Sequence, residues 1–524
     1  MRAIADWRGS AVMRARLLMV ASAALLLVGL AGPAVAEAAK EPFVTQKSPP
    51  NSPSVEECTA TGDPTADLRL DCDDPFPNNE PNVAVDPADP LHMVASSNDY
   101  GSCCDQYYTT FDGGRTWRTG NMSRRGPNVI GSDPITVFDP KHGTVIHLSL
   151  NFKVSAALPA TNGDVVASIS RDGGLTWDVP VVIGQGRGAH LFNDKEDAVV
   201  DTDPTSPFYG RTYVTWTGFV GDVKRTLASP IVIAWSDDGG LTWSEPKVIS
   251  GSNPQYCTFQ TSGPAGECDE DQFSAPRVGP GGVLHVAFQN GQHEAAWEPG
   301  EQFESQYLVV TSRNGGATFS DPVHVVDQED GSRDFPLNVD DRPTLTGLQV
   351  RVPSGGTMAV DPRSGRLYIT FTDNRAGTHD VNEPVTNAKA YIVTSADGVT
   401  WSAPVAVDTS DTESWFPWVD VAPDGTVGVI YNDRRPGNTY VAELAEGAPA
   451  AFSTQVVSQA LSHPNESLFF QAGAPGCEDC ALFHGDYLGL DYGTDRVANV
   501  AWTDMRDKDT ETGLYRQFIY FARR

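Results

Sequence analysis

Positive charge is scarce in this chain. Its 37 Lys and Arg stand against 68 Asp and Glu, a formal net charge of −31. A nucleic-acid partner, whose phosphates need clustered cations, is thereby excluded, and the acidity reads as solvated surface. Long apolar runs are missing as well: past residue 36 no stretch of ~18 residues is continuously apolar, so no transmembrane segment is expected. There is no G-x-S-x-G, no H-E-x-x-H and no phosphate loop, which removes the nucleophile-elbow hydrolases, the helix-borne zinc proteases and the P-loop enzymes. The aspartate-rich stretches 201–203 (DTD), 269–271 (DED) and 507–509 (DKD) offer oxygens to Ca²⁺, yet none completes an EF-hand loop with its Gly and distal Glu. No cofactor is required by anything in the sequence.

The chain start and the cysteines point to export. Arg2, Arg8, Arg14 and Arg16 precede the apolar run 17–30 and the small residues 33–36 (PAVA), the pattern of a secretory signal peptide over 1–36. The mature protein is expected to be soluble and secreted. Eight cysteines suit an oxidising compartment. Local spacing suggests Cys58 with Cys72, Cys257 with Cys268 and Cys477 with Cys480, leaving the adjacent Cys103 and Cys104. A zinc reading of Cys477 and Cys480 lacks a second ligand pair at zinc-finger spacing. Residues 37–79, rich in Pro, Ser, Asn and Thr, read as an arm or linker.

What is abundant is a repeat. The pattern S/T-x-D-x-G-x-T-W occurs in full at 110–117 (TFDGGRTW), 170–177 (SRDGGLTW) and 236–243 (SDDGGLTW). It returns at 312–319 (SRNGGATF) with Asn and Phe, and at 395–401 (SADGVTW) one residue short. The acidic or amide residues Asp112, Asp172, Asp238, Asn314 and Asp397 can accept hydrogen bonds from their own turn, the glycines supply positive φ, and the aromatic covers the corner. Each copy therefore marks a hairpin.

From residue 80 onward every copy follows two further β-rich runs, so the repeating unit is larger than the hairpin. Counting units, including a sixth without the hairpin motif and a seventh ending after three strands, gives seven over 80–524. That is about 64 residues each, an ordinary size for a propeller blade with its loops. The expected fold is all-β, a β-propeller of four-stranded antiparallel blades, seven in number with six as the alternative. The segment 67–72 is the candidate for the strand that completes the last blade.

These motifs resemble the Asp boxes, or bacterial neuraminidase repeats, of the sialidase superfamily. The resemblance covers nearly the whole mature chain and implies that the boxes lie on the rim away from the active site, at the hairpin of strands three and four. In an up-and-down blade the entrance of strand one and the exit of strand two then share the opposite face. Polar groups crowd those positions. Strand-two exits carry Asn98-Asp99, Asn151 and Gln289-Asn290. Entrances carry Asn79-Glu80, Ser132-Asp133, Lys195-Glu196-Asp197 and His484-Gly485-Asp486-Tyr487.

Three strand-two exits share an aromatic-x-D-x-R pattern ending in Arg375, Arg435 and Arg506, with Arg434 beside the second. Either each Asp holds its own Arg in a structural ion pair, or the forks converge on an anion such as a sugar carboxylate. The resemblance implies such an Arg triad, a Tyr nucleophile activated by Glu, and a separate Asp acid/base. It places Tyr487, after Asp486, near the nucleophile, Glu80 or Glu196 as its partner, and Asp99 or Asp133 as the acid. One departure stands out. The family's Arg-Ile/Leu-Pro motif precedes the first box, whereas the nearest counterpart here, 351–353 (RVP), follows the fourth and reads as coincidental.

The expected function is a secreted, sialidase-like exo-glycoside hydrolase acting on acidic terminal sugars, with a glycan or glycoconjugate as partner. The rivals are a non-catalytic glycan- or protein-binding propeller, and a uronate polysaccharide lyase using His484 and Tyr487. Fold alone does not decide among them.

Overall fold

Short β-branched and aromatic runs, broken by Gly, Asp and Asn turns, fold as antiparallel strands. The computed structural model describes residues 55–71, 77–100, 105–123, 129–155, 158–188, 190–222, 225–259, 263–293, 304–331, 333–338, 342–378, 384–467, 483–510 and 512–524. The expected leader and the arm as far as residue 54 lie outside them, as do Cys72, Cys103, Cys104, Cys477 and Cys480.

The described strands make seven antiparallel sheets. Their innermost strands are Asn78–Asp86, Val129–Asp139, Leu191–Val200, Asp271–Gly279, Met358–Val360, Ser414–Val421 and Gly489–Tyr492, which define blades 1 to 7. The architecture is a seven-bladed propeller, and no α-helix occurs among the described residues. Six blades is excluded, because the C-terminal strands form a sheet of their own whose outer strand comes from the other end of the chain. There Leu68 pairs with Phe521 and Arg69 with Tyr520. A second N-terminal strand, Val55–Thr61, adds a fifth strand to blade 1 by pairing with Thr116–Asn121. The pairing that completes blade 7 is the one expected of segment 67–72; the one made by Val55–Thr61 falls in a stretch whose composition reads as a linker.

Burial follows this plan. The buried apolar residues fall into seven clusters, each spanning one blade-to-blade boundary. Ile146, Leu148 and Trp216 pack between blades 2 and 3, for example, and Val83, Trp117 and Phe521 between blades 1 and 7. A blade has no core of its own, so stability comes from stacking.

The repeated turns join strands three and four and fasten neighbouring blades. In blade 2, Asp172 Oδ1 accepts from Thr176 N at 2.9 Å and Ser170 Oγ accepts from Gly174 N at 2.7 Å. The turn then docks on blade 1: Thr109 Oγ1 donates to Gly174 O at 2.7 Å and Tyr107 OH to Leu175 O at 3.2 Å. Thr144 does the same to Gly239 O at 3.2 Å, and Arg211 to Gly315 O at 2.7 Å. Asn314 in the fourth copy keeps the geometry, because its Oδ1 accepts from Thr318 N at 2.9 Å as an aspartate would.

Cys257 and Cys268 are disulfide-bonded. Cys58 is also in a disulfide, with a partner outside the described residues. Among the described residues no helix is long and apolar enough to cross a membrane.

Candidate functional site

One structural device aims side chains at the mouth of the ring. Glu80, Asp133, Lys195, Phe273 and Phe416 all have φ between 50° and 58°, a left-handed conformation that costs a non-glycine residue roughly 1–2 kcal/mol. They occupy equivalent places. In each case the innermost strand bulges just there, at the register shifts Asn79/Asn82, Ser132/Ile135, Asp194/Asp197, Gln272/Ala275 and Trp415/Trp418. Ahead of the innermost strand of blade 7, Gly485 also has a positive φ, 86°. A bulge re-aims a side chain that a regular pleat would point elsewhere. The strands thus continue through positions that the sequence pattern places ahead of them.

The resulting cleft, a partly open cavity of about 110 Å³, is lined from blades 1 to 4, the segment after blade 4 and the entrance of blade 7. Glu80, Asp133, Asp194 and Asp486 bring carboxyls to it; Lys195, Arg342 and Arg351 bring positive charge; Tyr100 brings a phenol. Asn98, at the exit of strand two in blade 1, holds two blades together at this point. Its Nδ2 donates to Glu80 Oε2 at 2.6 Å, and its Oδ1 accepts from Asp133 N at 2.7 Å. Glu80 Oε1 accepts from Asp486 N at 3.0 Å.

Burial is the first cause of the unusual proton affinities here. It pushes the Glu80 carboxyl well above the carboxylate range, the charges of Asp133 and Asp486 push the same way, and Arg351 and Lys195 pull back. Asp133 is raised by burial against its bonds to Ser132 and Glu80. Asp194 is raised well by burial and then by Asp133. Adjacent carboxyls that cannot all ionise share protons, so this group keeps acid and base side by side at neutral pH. The Tyr100 phenol is raised by burial, then by Glu80 and Asp133, with a bond to Asn79 opposing.

No family model matches this chain, and no curated protein matches it. Among solved structures, a protein of unknown function from Dyadobacter fermentans superposes with a TM-score of 0.45 at 11% identity, over 89% of this chain and 98% of that one. An ulvan lyase of a polysaccharide lyase family gives 0.46 at 10%, over 85% and 94%. A leech intramolecular trans-sialidase complexed with 2,7-anhydro-Neu5Ac gives 0.41 at 13%, over 73% and 68%. Likeness at this level says nothing of chemistry, which rests on the cleft residues themselves.

Of the six catalytic candidates from sequence, Glu80, Asp133 and Asp486 line the cleft. Tyr487 does not: it is 2% exposed, its ring lies 3.9 Å from Lys195 Nζ, and its hydroxyl has no hydrogen-bond partner among the described residues. Glu196 is fully buried behind the same wall. Asp99 lies apart, beside Gln106. His484 is buried against Phe416 and Tyr440, burial lowers its imidazole to about 3, so it stays neutral, and it does not line the cleft.

None of the four candidate arginines lines the cleft. Arg375 donates from Nε to both oxygens of Asp373 at 2.9 Å. Arg435 is bound by Asp433 and Glu443, Arg434 by Glu413, and Arg506 by Asp504 and Asp67. The two-residue spacing of D-x-R lets each guanidinium fold back on its own blade loop. The positive groups of the cleft are instead Arg351, Arg342 and Lys195. Arg351 donates from Nε to Asp486 Oδ1 at 2.8 Å and from Nη2 to Oδ2, so the 351–353 motif occupies the site in spite of its place in the chain.

The three aspartate-rich stretches supply no member of either convergent group of metal-ligating side chains found among the described residues.

Proposed function

We propose that this chain is an exported, sialidase-like glycan hydrolase that removes a terminal acidic sugar, with Tyr100 rather than Tyr487 as its nucleophile. The observation that carries the reading is the meeting of a phenol, a carboxyl pair, a separate raised carboxyl and two arginines in one cleft. The disulfides of Cys58 and of Cys257 with Cys268 support an oxidising destination.

In this reading Arg351 and Arg342 hold the sugar carboxylate. Arg351 has five N–H donors and gives two of its nitrogens to Asp486, which leaves donors for a ligand. The neutral Tyr100 oxygen attacks the anomeric carbon while its proton passes to the Glu80–Asp133 pair. The glycosidic C–O bond breaks as Asp194, held protonated by burial, gives its proton to the leaving oxygen. Water then attacks the glycosyl–tyrosine bond, Asp194 takes up the water proton, and the carboxyl pair returns the phenol proton.

The test is release of an aryl leaving group from sialosides and uronides. Tyr100→Phe should lose turnover by about 10²–10⁴-fold. Asp194→Asn should lose far more on an unactivated glycan than on an aryl glycoside, whose leaving group needs little protonation. If wild type cleaves no acidic glycoside yet binds one, the propeller is a glycan-binding module and the hydrolase reading fails.

A further inference from the structure

Away from the cleft, at the outer edge of blade 4, two imidazoles and a carboxylate converge. His293 follows strand two of the blade, while His324 and Asp327 sit on its outer strand, Val323–Asp327. His293 Nδ1 lies 2.9 Å and His324 Nε2 3.0 Å from the same oxygen, Asp327 Oδ1. One ligand atom from each residue falls within 4.8 Å of the others.

Positions three apart on a regular strand point to opposite faces. His324 and Asp327 escape that rule, because the strand is bulged. Leu308 pairs with His324 but the preceding Tyr307 pairs with Val326, which leaves Val325 as the extra residue. The bulge shifts the parity and delivers both side chains to one side, where His293 meets them. Tyr256 closes one flank by stacking on His324 at 4.3 Å between ring centroids and meeting His293 edge-on at 5.3 Å. His293 is 9% exposed.

We propose that His293, His324 and Asp327 form a binding site for a divalent transition-metal ion, Zn²⁺ in the first instance. Two imidazoles and one carboxylate are a donor set suited to Zn²⁺, and three protein ligands leave a position for water. With metal–ligand bonds of about 2.0–2.1 Å, ligand atoms stand roughly 2.9–3.4 Å apart, the range in which both His–Asp separations already lie. The ion takes the place of the imidazole protons now directed at Asp327.

The site has a mechanical role. Asp327 O accepts from Arg375 Nη2 of blade 5 at 3.1 Å, and three residues later Asp330 lines the cleft. A metal here would pin the outer strand of blade 4 to the end of its strand two, at the base of the loop that carries Asp330. This proposal is independent of the hydrolase reading.

The experiment uses the full mature chain, stripped with chelator and titrated with ZnCl₂ by calorimetry and by melting temperature, with Co²⁺ as a spectroscopic substitute. Wild type should take up one ion per chain, melt at a higher temperature with it, and give the visible spectrum of nitrogen- and oxygen-bound Co²⁺. His324→Ala and Asp327→Asn should each weaken binding by more than the about 10–100-fold that loss of an outer-shell partner costs. The exposed-site control His190→Ala should bind like wild type. Circular dichroism separates a lost site from a lost fold, and Asp327→Asn preserves shape. Absence of binding by wild type, or equal binding by wild type, His324→Ala and Asp327→Asn, overturns the proposal.

Discussion

Arg351 grips Asp486 through two of its nitrogens, with Nε 2.8 Å from Oδ1, and so ties the segment after blade 4 to the entrance of blade 7. The two side chains are 12% and 13% exposed. A buried pair of this kind costs little when both members go and much when one is stranded. Arg351→Ala and Asp486→Ala should each destabilise by about 3–5 kcal/mol, and the double variant by clearly less than the sum. Urea unfolding of the four proteins reads the coupling directly; additive losses would show that the two groups do not support one another.

Tyr487 and Tyr100 separate the sequence reading from the structural one. The Tyr487 hydroxyl is buried with no partner among the described residues, and an unmet polar group of this kind costs about 1–3 kcal/mol. Tyr487→Phe should therefore leave the melting temperature unchanged or raised, and turnover on an aryl sialoside within about twofold of wild type. Tyr100→Phe should abolish most turnover while costing about 1–3 kcal/mol of stability at most, for the lost bond to Asn79. A collapse of turnover in Tyr487→Phe would return the nucleophile to that position.

The blade count and the turns were legible because they repeat: five copies of one hairpin fix strand direction, and direction fixes which loops share a face. Glu80, Asp133 and Asp486 followed from that topology. Lys195 was visible only as part of a polar entrance, since nothing in a single strand announces a left-handed residue, although Glu80-Pro81, Asp133-Pro134 and Phe416-Pro417 share a following proline at this position. Of the two readings open for Arg375, Arg435 and Arg506, the structural ion pair is the one found, because a D-x-R repeat satisfies itself locally. Arg351 and Tyr100 lie in connecting segments whose course no periodicity describes. The bulge at Val325 likewise has no sequence signature, and His324 and Asp327 stand at a spacing that a regular strand would send to opposite faces.

Acid–base linkage gives a third test. Asp330 lines the cleft, bonded by Ser354 Oγ and by Ser305 N at 2.7 Å, and burial raises its carboxyl to about 7 from an unfolded value of about 3.9. Between these pH values the native protein holds a proton that the unfolded chain has released. Its contribution is full below about pH 4 and is lost as pH rises through 7, a fall on the order of 2–4 kcal/mol. Asp330→Asn keeps the shape and removes the titration. Relative to wild type, the variant should gain stability steadily from pH 4 to 7.5 in denaturant midpoints, while other carboxyls cancel between the two proteins. Parallel curves would assign the slope elsewhere.

The docking of the repeated turns can be isolated with two glycines that share a conformation and differ in surroundings. Gly174 has φ +92°, and a Cβ there would stand 2.6 Å from Val94 Cγ2 and 3.0 Å from Thr109 Oγ1, both on the preceding blade. Gly143 has φ +67° with nothing within 4 Å of the same added atom. Alanine at either position carries the left-handed cost of roughly 1–2 kcal/mol. Only at Gly174 must it also push back a neighbouring blade and strain the 2.7 Å bond from Thr109, which adds an overpacking cost of about 1–3 kcal/mol. Gly143→Ala should therefore lower stability by about 1–2 kcal/mol and Gly174→Ala by about 2–5 kcal/mol. Turnover per folded molecule should stay at the wild-type level in both, because the turns lie at the far end of the strands from Glu80 and Asp133. Equal destabilisation by the two substitutions would mean that the turns cap their own hairpins and do not hold the ring together.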